Sequence, residues 1–437
     1  MTVMAWCAML AYLVKRSFPN LSFAVLLRTY FLCWAGLGLL STAVCADDTA
    51  PEIEPESTIA STSAAAMLAG DQLVLLDEAI ERYQAVAEAG GWLPLDAGLD
   101  ADSLPSLDLG VRDQRVRLLR QRLRLSGDYQ AEMGADPLVF DAGLFDAVIA
   151  FQERHGMYPD GVLAGQTLEL LNLAVAARIA QLQQARAAWA DLPTGSGGRR
   201  VWVNIPEAVV TALNGDDIEL QLRAVVGHPT RPTPELTSTI LRVVVNPSWT
   251  VPKSIAGQDI LPRQLEDAGY LARNGFELFG SWSDNTSQMN PDLIAWELVK
   301  PDRFPYRLRQ KPGPANSLGR FKFDFPNTED IYMHDTPSKL LLGLSVRSLS
   351  SGCIRVQDPE VLAQWLIRDD AVLQKILLQA AADPRYSTRS FRLRNPTPID
   401  LVYLSAWVSP DGRVHFRRDV YGRADAATAV AGIAAAE

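Results

Sequence analysis

Residues 332–337 read Tyr332-Met333-His334-Asp335-Thr336-Pro337, and residues 350–356 read Ser350-Ser351-Gly352-Cys353-Ile354-Arg355-Val356. Ile331 to Met333 carries a strand signal, so His334 ends a strand 19 residues before Cys353, and both lie next to turn-forming residues. A cysteine acts as a nucleophile only where a nearby base or cation favours its thiolate. His334 is the candidate base, and Arg355 places a cation two residues beyond the sulfur. Gly352 lets the backbone come close, so amide N–H groups there could face an oxyanion. The same spacing also suits a buried structural thiol beside a satisfied strand-end histidine, and it does not choose between the two. One cysteine here, with His155, His228 and His415 scattered elsewhere, gives no usual zinc-ligand spacing and no reason to expect a metal.

Outward from these segments the pattern is mostly β. Val201, Val203 and Ile205 alternate with Trp202 and Asn204, residues 240–246 read as a more buried strand, and strand signals return at Gly319–Phe325. Ser409-Pro410-Asp411-Gly412 between Leu401–Val408 and Arg413–Phe416 predicts a hairpin. Asp358-Pro359 predicts a capped helix start. Residues 253–316 break the strand pattern with short helical pieces among Gly, Asn, Trp and Pro, which predicts a helical insertion placed as a lid over the site. Before Arg199 the period is helical. A scaffold is expected over 67–110, a three-helix unit over 111–173, and a further helix with the PTGSGG linker over 174–198. The chain is therefore expected to be multidomain α+β, with the mostly β part at 199–422 and a frayed Ala-rich tail at 423–437.

The first 46 residues hold Lys15, Arg16 and Arg28 and no acid, followed by an apolar run from Tyr30 to Val44 and small residues before Asp47. This predicts an export signal, with an uncleaved membrane anchor as the alternative, and then a disordered linker at 47–66. Removing the signal takes Cys7, Cys33 and Cys45 with it and leaves Cys353 as a solitary thiol in an oxidising compartment, with no internal disulfide framework. The whole chain has 41 Lys+Arg against 51 Asp+Glu, a net charge of −10. That balance, with no run of basic residues, argues against a nucleic-acid partner.

HDTPSK followed by SSGCIRV resembles the signature of YkuD-type L,D-transpeptidases. NPSWTVPKSI (246–255), GYLARNGF (269–276), PYRLRQKPGPANSLGR (305–320) and AWVSPDGRVHFRRDVYG near the end are similar to the large Gram-negative periplasmic branch. Ser351 stands where many small relatives have a histidine. The unit at 111–173 resembles a peptidoglycan-binding domain through Val116, Leu119, Phe151-Gln152, Asp160-Gly161-Val162 and Thr167–Asn172. The resemblance implies a mostly β catalytic domain in the periplasm and no cofactor. It implies attack by Cys353 on a peptidoglycan stem peptide to give a thioester, with His334 as base and 3→3 cross-links as product. It assigns Gly352, Ser351 and Asp335 to oxyanion or orienting roles, Asp335 through its backbone carbonyl or its carboxylate. Arg355 becomes a candidate for gripping a substrate carboxylate, with a plain salt bridge as its alternative, and Tyr332 and Trp249 become candidates for lining the cleft. Stem peptides, glycan, carbapenem-type inhibitors and other wall-synthesis enzymes are the implied partners. An L,D-carboxypeptidase, a ligase or hydrolase acting on wall-linked lipoprotein, and a non-catalytic wall-binding scaffold remain open alternatives.

Overall fold

A computed structural model describes residues 72–96, 104–130, 136–192, 198–215, 217–283 and 287–423. The expected signal, the 47–66 linker and all of the expected tail except Arg423 lie outside the described residues.

Among the described residues five helices precede the strands: α1 (Gln72–Glu88), α2 (Arg115–Leu125), α3 (Ala142–Arg154), α4 (Gly165–Asn172) and α5 (Val175–Ala190). Helix α3 starts where Asp141 accepts a hydrogen bond from the Leu144 amide, a side-chain cap that satisfies an otherwise orphaned donor. Helices α2–α4 close over one apolar core built on Leu119, Leu123, Leu144, Phe151 and Leu168. Of the expected scaffold at 67–110, residues 72–96 and 104–110 are described. Beyond α1, Leu95 and Leu107 pack into the core of the three-helix unit, where Leu107 bridges Leu163.

The β part is a single mixed sheet. Its strands are β1 (Arg199–Asn204), β2 (Val209–Asn214), β3 (Asp217–Gly227), β4 (Leu236–Val245), β9 (Phe321–Asp324), β10 (Met333–His334), β11 (Ser348–Ser350), β12 (Ile354–Val356) and β13 (Arg389–Val402). They run in the order β11-β3-β12-β10-β9-β4-β13-β1-β2, and β2 pairs again with β3. The sheet thus curls until β2 meets β3, with β11 left as an edge strand on β3. Strand β3 makes this possible by pairing β2 through Asp217–Arg223 and β12 through Ala224 and Val225. Val201, Val203, Val243, Phe323, Met333, Ile354 and Ile399 fill the inner core with helices α9 (Pro359–Leu366) and α10 (Ala371–Ala381). The alternation around Trp202 is real, but the opposite phase is not solvated. Trp202 is buried against α1, α5 and the hairpin β14 (Ala406–Val408)–β15 (Val414–Phe416), whose turn is the expected 409–412 segment. Asp358 precedes α9 as expected, yet it sits in the left-handed region (φ 44°) and its side chain caps nothing, so Pro359 alone marks the start.

Between Val245 and Phe321 lies the insertion. It has the expected short helices, α6 (Lys253–Ile255), a π turn (Ala256–Ile260), α7 (Leu261–Glu266) and α8 (Tyr270–Arg273). It also has a sheet that the sequence reading missed, β5 (Trp249–Thr250), β8 (Arg307–Gln310), β6 (Phe276–Phe279) and β7 (Gln288–Met289), in that order. Val251, Ile260, Leu271, Leu278, Trp296 and Leu308 give it a core of its own. It is therefore a mixed subdomain rather than a helical lid. Its two stems are ladder partners, because Val245 pairs with Phe321.

Candidate active site

Strand β10 is the hub. It runs parallel to β12, with Met333 opposite Ile354 and His334 opposite Arg355, and antiparallel to β9, with His334 opposite Lys322. Met333 and Ile354 are fully buried in the inner core. Side chains alternate across a strand, so His334, Arg355 and Lys322 lie on the other face. Tyr332 precedes Met333 on that same face, and its ring centroid is 5.7 Å from that of His334. The Ile354 amide donates to the Tyr332 carbonyl (3.1 Å), which brings Cys353 alongside Tyr332. Tyr332 favours negative charge on the sulfur, and the Sγ–H faces the Asp330 carbonyl at 3.9 Å. Cys353, Tyr332, His334, Arg355 and Lys322 are thus one cluster on adjacent strands.

His334 is buried, and its Nδ1 lies 2.5 Å from the carbonyl oxygen of Asp335. A carbonyl only accepts, so Nδ1 carries the proton and Nε2 keeps its lone pair. Burial first, and then the nearby Arg355 charge, push the imidazole down to about 3, so it is neutral at pH 7. Burial also pushes the Cys353 thiol up, against the opposite pull of Tyr332, Lys322 and Arg355. The resting pair is a neutral thiol and a neutral base, not a preformed thiolate–imidazolium pair.

The carboxylate of Asp335 is occupied elsewhere. It accepts from the amides of Arg320 (2.7 Å) and Thr336 (2.7 Å) and pairs with Lys339. Only its backbone carbonyl orients the histidine, which resolves the two options for this residue. Gly319 fits against that carboxylate at φ +61°. A Cβ there would stand 2.3 Å from the carboxylate oxygen, so the close approach requires glycine.

In the Cys353 loop, the Gly352 amide already donates to Ser350 Oγ (3.1 Å), and the Ser350 hydroxyl donates to the Cys353 carbonyl (2.6 Å). This moves Gly352 from oxyanion donor to loop bracing, at φ +111°. Ser351 is exposed, and its Oγ accepts from Arg231 (2.8 Å), so it too faces away from an oxyanion role. Arg355 is half-buried. Burial lowers its pKa, and the Cys353 sulfur is the charge that opposes this. The salt-bridge alternative is not realised, since no carboxylate pairs with Arg355 among the described residues. Burial also raises the Tyr332 phenol well above its ordinary range, with the sulfur adding to the effect, while the Trp249 side chain pulls the other way. Trp249 packs on the insertion core, with its ring 6.5 Å from that of Phe276, and its buried indole N–H has no hydrogen-bond partner among the described residues.

The sequence reading missed Lys322, whose ammonium sits 4.2 Å from the Tyr332 ring centroid while pairing with Asp324 at 2.8 Å. Its signal was the period-two run Phe321-Lys322-Phe323, which sets one lysine opposite two core phenylalanines. His155 and His415 belong to the helical unit and the hairpin, and His228 bonds Thr230 through its ring. Among the described residues no cluster of three His, Cys, Asp or Glu side chains is arranged to hold a metal, and no helix is long and apolar enough to cross a membrane.

Two stretches of the chain match known families. The YkuD family of L,D-transpeptidase catalytic domains matches residues 198–373, and the family described as "Putative peptidoglycan binding domain" matches residues 112–171. A curated Haemophilus influenzae protein, "Putative L,D-transpeptidase", is 33% identical over 223 residues, which is 51% of this chain and 44% of that one. The chain thus spans less than half the length of that relative. Solved L,D-transpeptidase structures from Xylanimonas cellulosilytica (15% identical, covering 69% of this chain and 100% of that chain, TM-score 0.23) and Stackebrandtia nassauensis (13%, 68% and 94%, TM-score 0.26) are similar too weakly to carry weight alone. On the two family matches, residues 198–373 form an L,D-transpeptidase catalytic domain of the YkuD family, preceded at residues 112–171 by a domain of the peptidoglycan-binding family.

Proposed function

We propose that the protein is a peptidoglycan L,D-transpeptidase that forms 3→3 cross-links through a Cys353 thioester. The observation that carries this reading is the neutral His334, its Nδ1 tied to the Asp335 carbonyl, on the strand beside the one that follows the half-buried Cys353. Cys353 Sγ attacks the carbonyl carbon of the third stem residue, and the thiol proton passes to His334 Nε2. The C–N bond to the terminal D-Ala breaks, and its amine leaves with that proton. The side-chain amine of a second stem then attacks the thioester and gives its proton to the same nitrogen. Cys353 leaves as thiol and a new amide is formed.

Because both groups rest neutral, charge separation develops only as the sulfur attacks. Lys322 and Arg355 favour the sulfur's negative charge at that moment. Arg355, without an acidic partner, is the candidate for the substrate carboxylate. The Cys353 amide, which bonds nothing among the described residues, is a better oxyanion donor than that of Gly352. The insertion beside the site limits access of water to the thioester. The same thiol chemistry predicts acylation by carbapenems. The peptidoglycan-binding domain supports a wall substrate, and the basic, then apolar, N-terminal segment supports action outside the cytoplasm, which fractionation of an epitope-tagged chain would check.

The deciding experiment is mass spectrometry of muropeptides after incubation of purified protein with tetrapeptide stems. Dimers linked 3→3, absent with Cys353→Ala, are expected. Tripeptides without dimers would make water the acceptor and the protein an L,D-carboxypeptidase. Protein adducts would point to lipoprotein attachment, and unchanged stems would leave only a binding role.

A further inference from the structure

One side chain touches three separate parts of the catalytic domain. Arg231 lies in the loop between β3 and β4. Its Nη1 and Nη2 hold the two carboxylate oxygens of Asp259 at 2.6 and 2.7 Å, and Asp259 belongs to the π turn of the insertion. Its Nη1 also donates to Ser351 Oγ at 2.8 Å, two residues from the nucleophile. A planar guanidinium can make this bidentate pair and still direct an N–H elsewhere, which an ammonium cannot do with the same geometry.

The loop that carries Arg231 is itself pinned to the nucleophile loop. The Thr233 hydroxyl donates to the Gly352 carbonyl (2.7 Å), and the Gly227 amide donates to Thr233 Oγ1 (2.8 Å). The His228 amide donates to the Ser350 carbonyl (2.8 Å). Thr233 is fully buried. The backbone is packed so tightly that a Cβ on Gly227 would stand 2.4 Å from both the Arg231 carbonyl and the Thr233 amide. The insertion, by contrast, has its own core, and that core does not include the nucleophile loop. Arg231 is a direct polar link between the two.

We propose that Arg231 is a positioning residue for the reaction: by holding Asp259 and Ser351 together it fixes the insertion and the Cys353 loop in one register, and Ser351 is kept as the acceptor this clasp needs. Ser351 thereby gains a role as a hydrogen-bond acceptor. The inference rests on the transpeptidase reading, and its test is arranged so that the two can fail separately. Misplacement of reacting groups by about 1 Å can cost on the order of a hundredfold in rate, so a loosened clasp should be visible in the chemical step.

The experiment uses the full chain and follows acylation by a carbapenem, the loss of β-lactam absorbance giving a limiting rate and a half-saturating concentration. Asp259→Asn, Ser351→Ala and Arg231→Met, together with the Asp259→Asn/Ser351→Ala double variant, are compared at matched Tm. Expected are a fall in limiting rate of about 10- to 100-fold for Arg231→Met, about 3- to 10-fold for each of the other singles, and little change in half-saturation. The double variant should lose less than the product of the two single losses, because both act through one guanidinium. A paired swap, Arg231→Glu with Asp259→Arg, should recover part of the Asp259 branch but not the Ser351 branch.

Limiting rates within twofold of wild type for all singles, or losses in the double variant that simply multiply, would overturn the clasp and leave an ordinary surface ion pair. Failure of the transpeptidase reading looks different. Cys353→Ala would then be labelled like wild type, whatever Arg231 does.

Discussion

Two regions of this protein bury a histidine beside cationic side chains, and only one of them also holds a thiol. In the active-site cluster, His334 lies beside Arg355 and Lys322, with Cys353 alongside. In the seam between the helical unit and the hairpin, His155 stacks on Phe151 and Phe416, among the buried Arg122, Arg154 and Arg178. Burial drives both imidazoles below their ordinary range. The Nδ1 atoms even share a habit, each bonding a backbone carbonyl, Asp335 in one case and Phe151 in the other. What differs is what surrounds each ring. His155 is enclosed by aromatic rings, whereas His334 shares its face with a thiol. A shifted histidine therefore does not mark a site until a group that can exchange a proton stands beside it.

The seam is held by other means. Arg154 bonds Asp128 through two N–H groups (2.5 and 2.6 Å) and the Val414 carbonyl (2.9 Å), with both ionic side chains at most 4% exposed. Burial works against the charge of Arg154, and Asp128 outweighs it, so its pKa is raised. Arg122 and Arg178 have no such partner. Burial lowers them to about 10 and about 9, and they donate to the consecutive carbonyls of Leu171 and Leu170 at the end of α4.

The largest expected contrast comes from the sulfur. Cys353→Ala should abolish covalent labelling by a carbapenem, read by intact-protein mass, while His155→Gln should label normally. His334→Ala should slow acylation by about 10²-fold or more in stopped-flow absorbance, the usual scale for a lost general base. The converse change, Arg154→Met, should leave acylation at low temperature near wild type. It should cost about 3–5 kcal/mol in denaturant unfolding, since it strands the buried Asp128.

A pH series sharpens the comparison further. His334 and His415, both at about 3, and His155, also lowered, resist protonation in the folded chain, while the unfolded chain takes up protons near pH 6.5. Their contribution to stability is therefore full above about pH 6.5 and is lost as pH falls toward 3. Tm should drop across that window. The acylation rate of folded enzyme should show no break near 6.5, because His334 is already neutral. An acid limb centred near 6.5 would overturn the neutral-pair description. The smallest effect is expected for Arg355→Met, about tenfold in KM for a carboxylate-bearing stem with a lesser change in kcat.

The parts of this comparison differed in legibility. The histidine strand and the cysteine loop could be read because each is a contiguous motif, and the hairpin because its turn chemistry is local. The three-helix unit was readable from its apolar spacing. The seam was not, because Trp202 and Phe416 are buried by a second layer that strand alternation alone does not report. The sheet within the insertion was hidden by its length, since β5 and β7 have two residues each, too few to show a period. Roles set by long-range hydrogen bonds were also out of reach. Nothing local in the sequence says that the Asp335 carboxylate serves Arg320 and Lys339 rather than the adjacent imidazole, or that Arg231 meets a serine 120 residues away.

The insertion leaves the barrel at Val245 and returns at Phe321, and these two residues are already held side by side by the ladder. Whatever occupies the stretch between them closes a gap that the sheet has fixed in advance, and closure entropy grows only slowly with length. Such an annexe can be widened, trimmed or refurnished without disturbing the walls, so the insertion is free to diverge while the cysteine and histidine stay put.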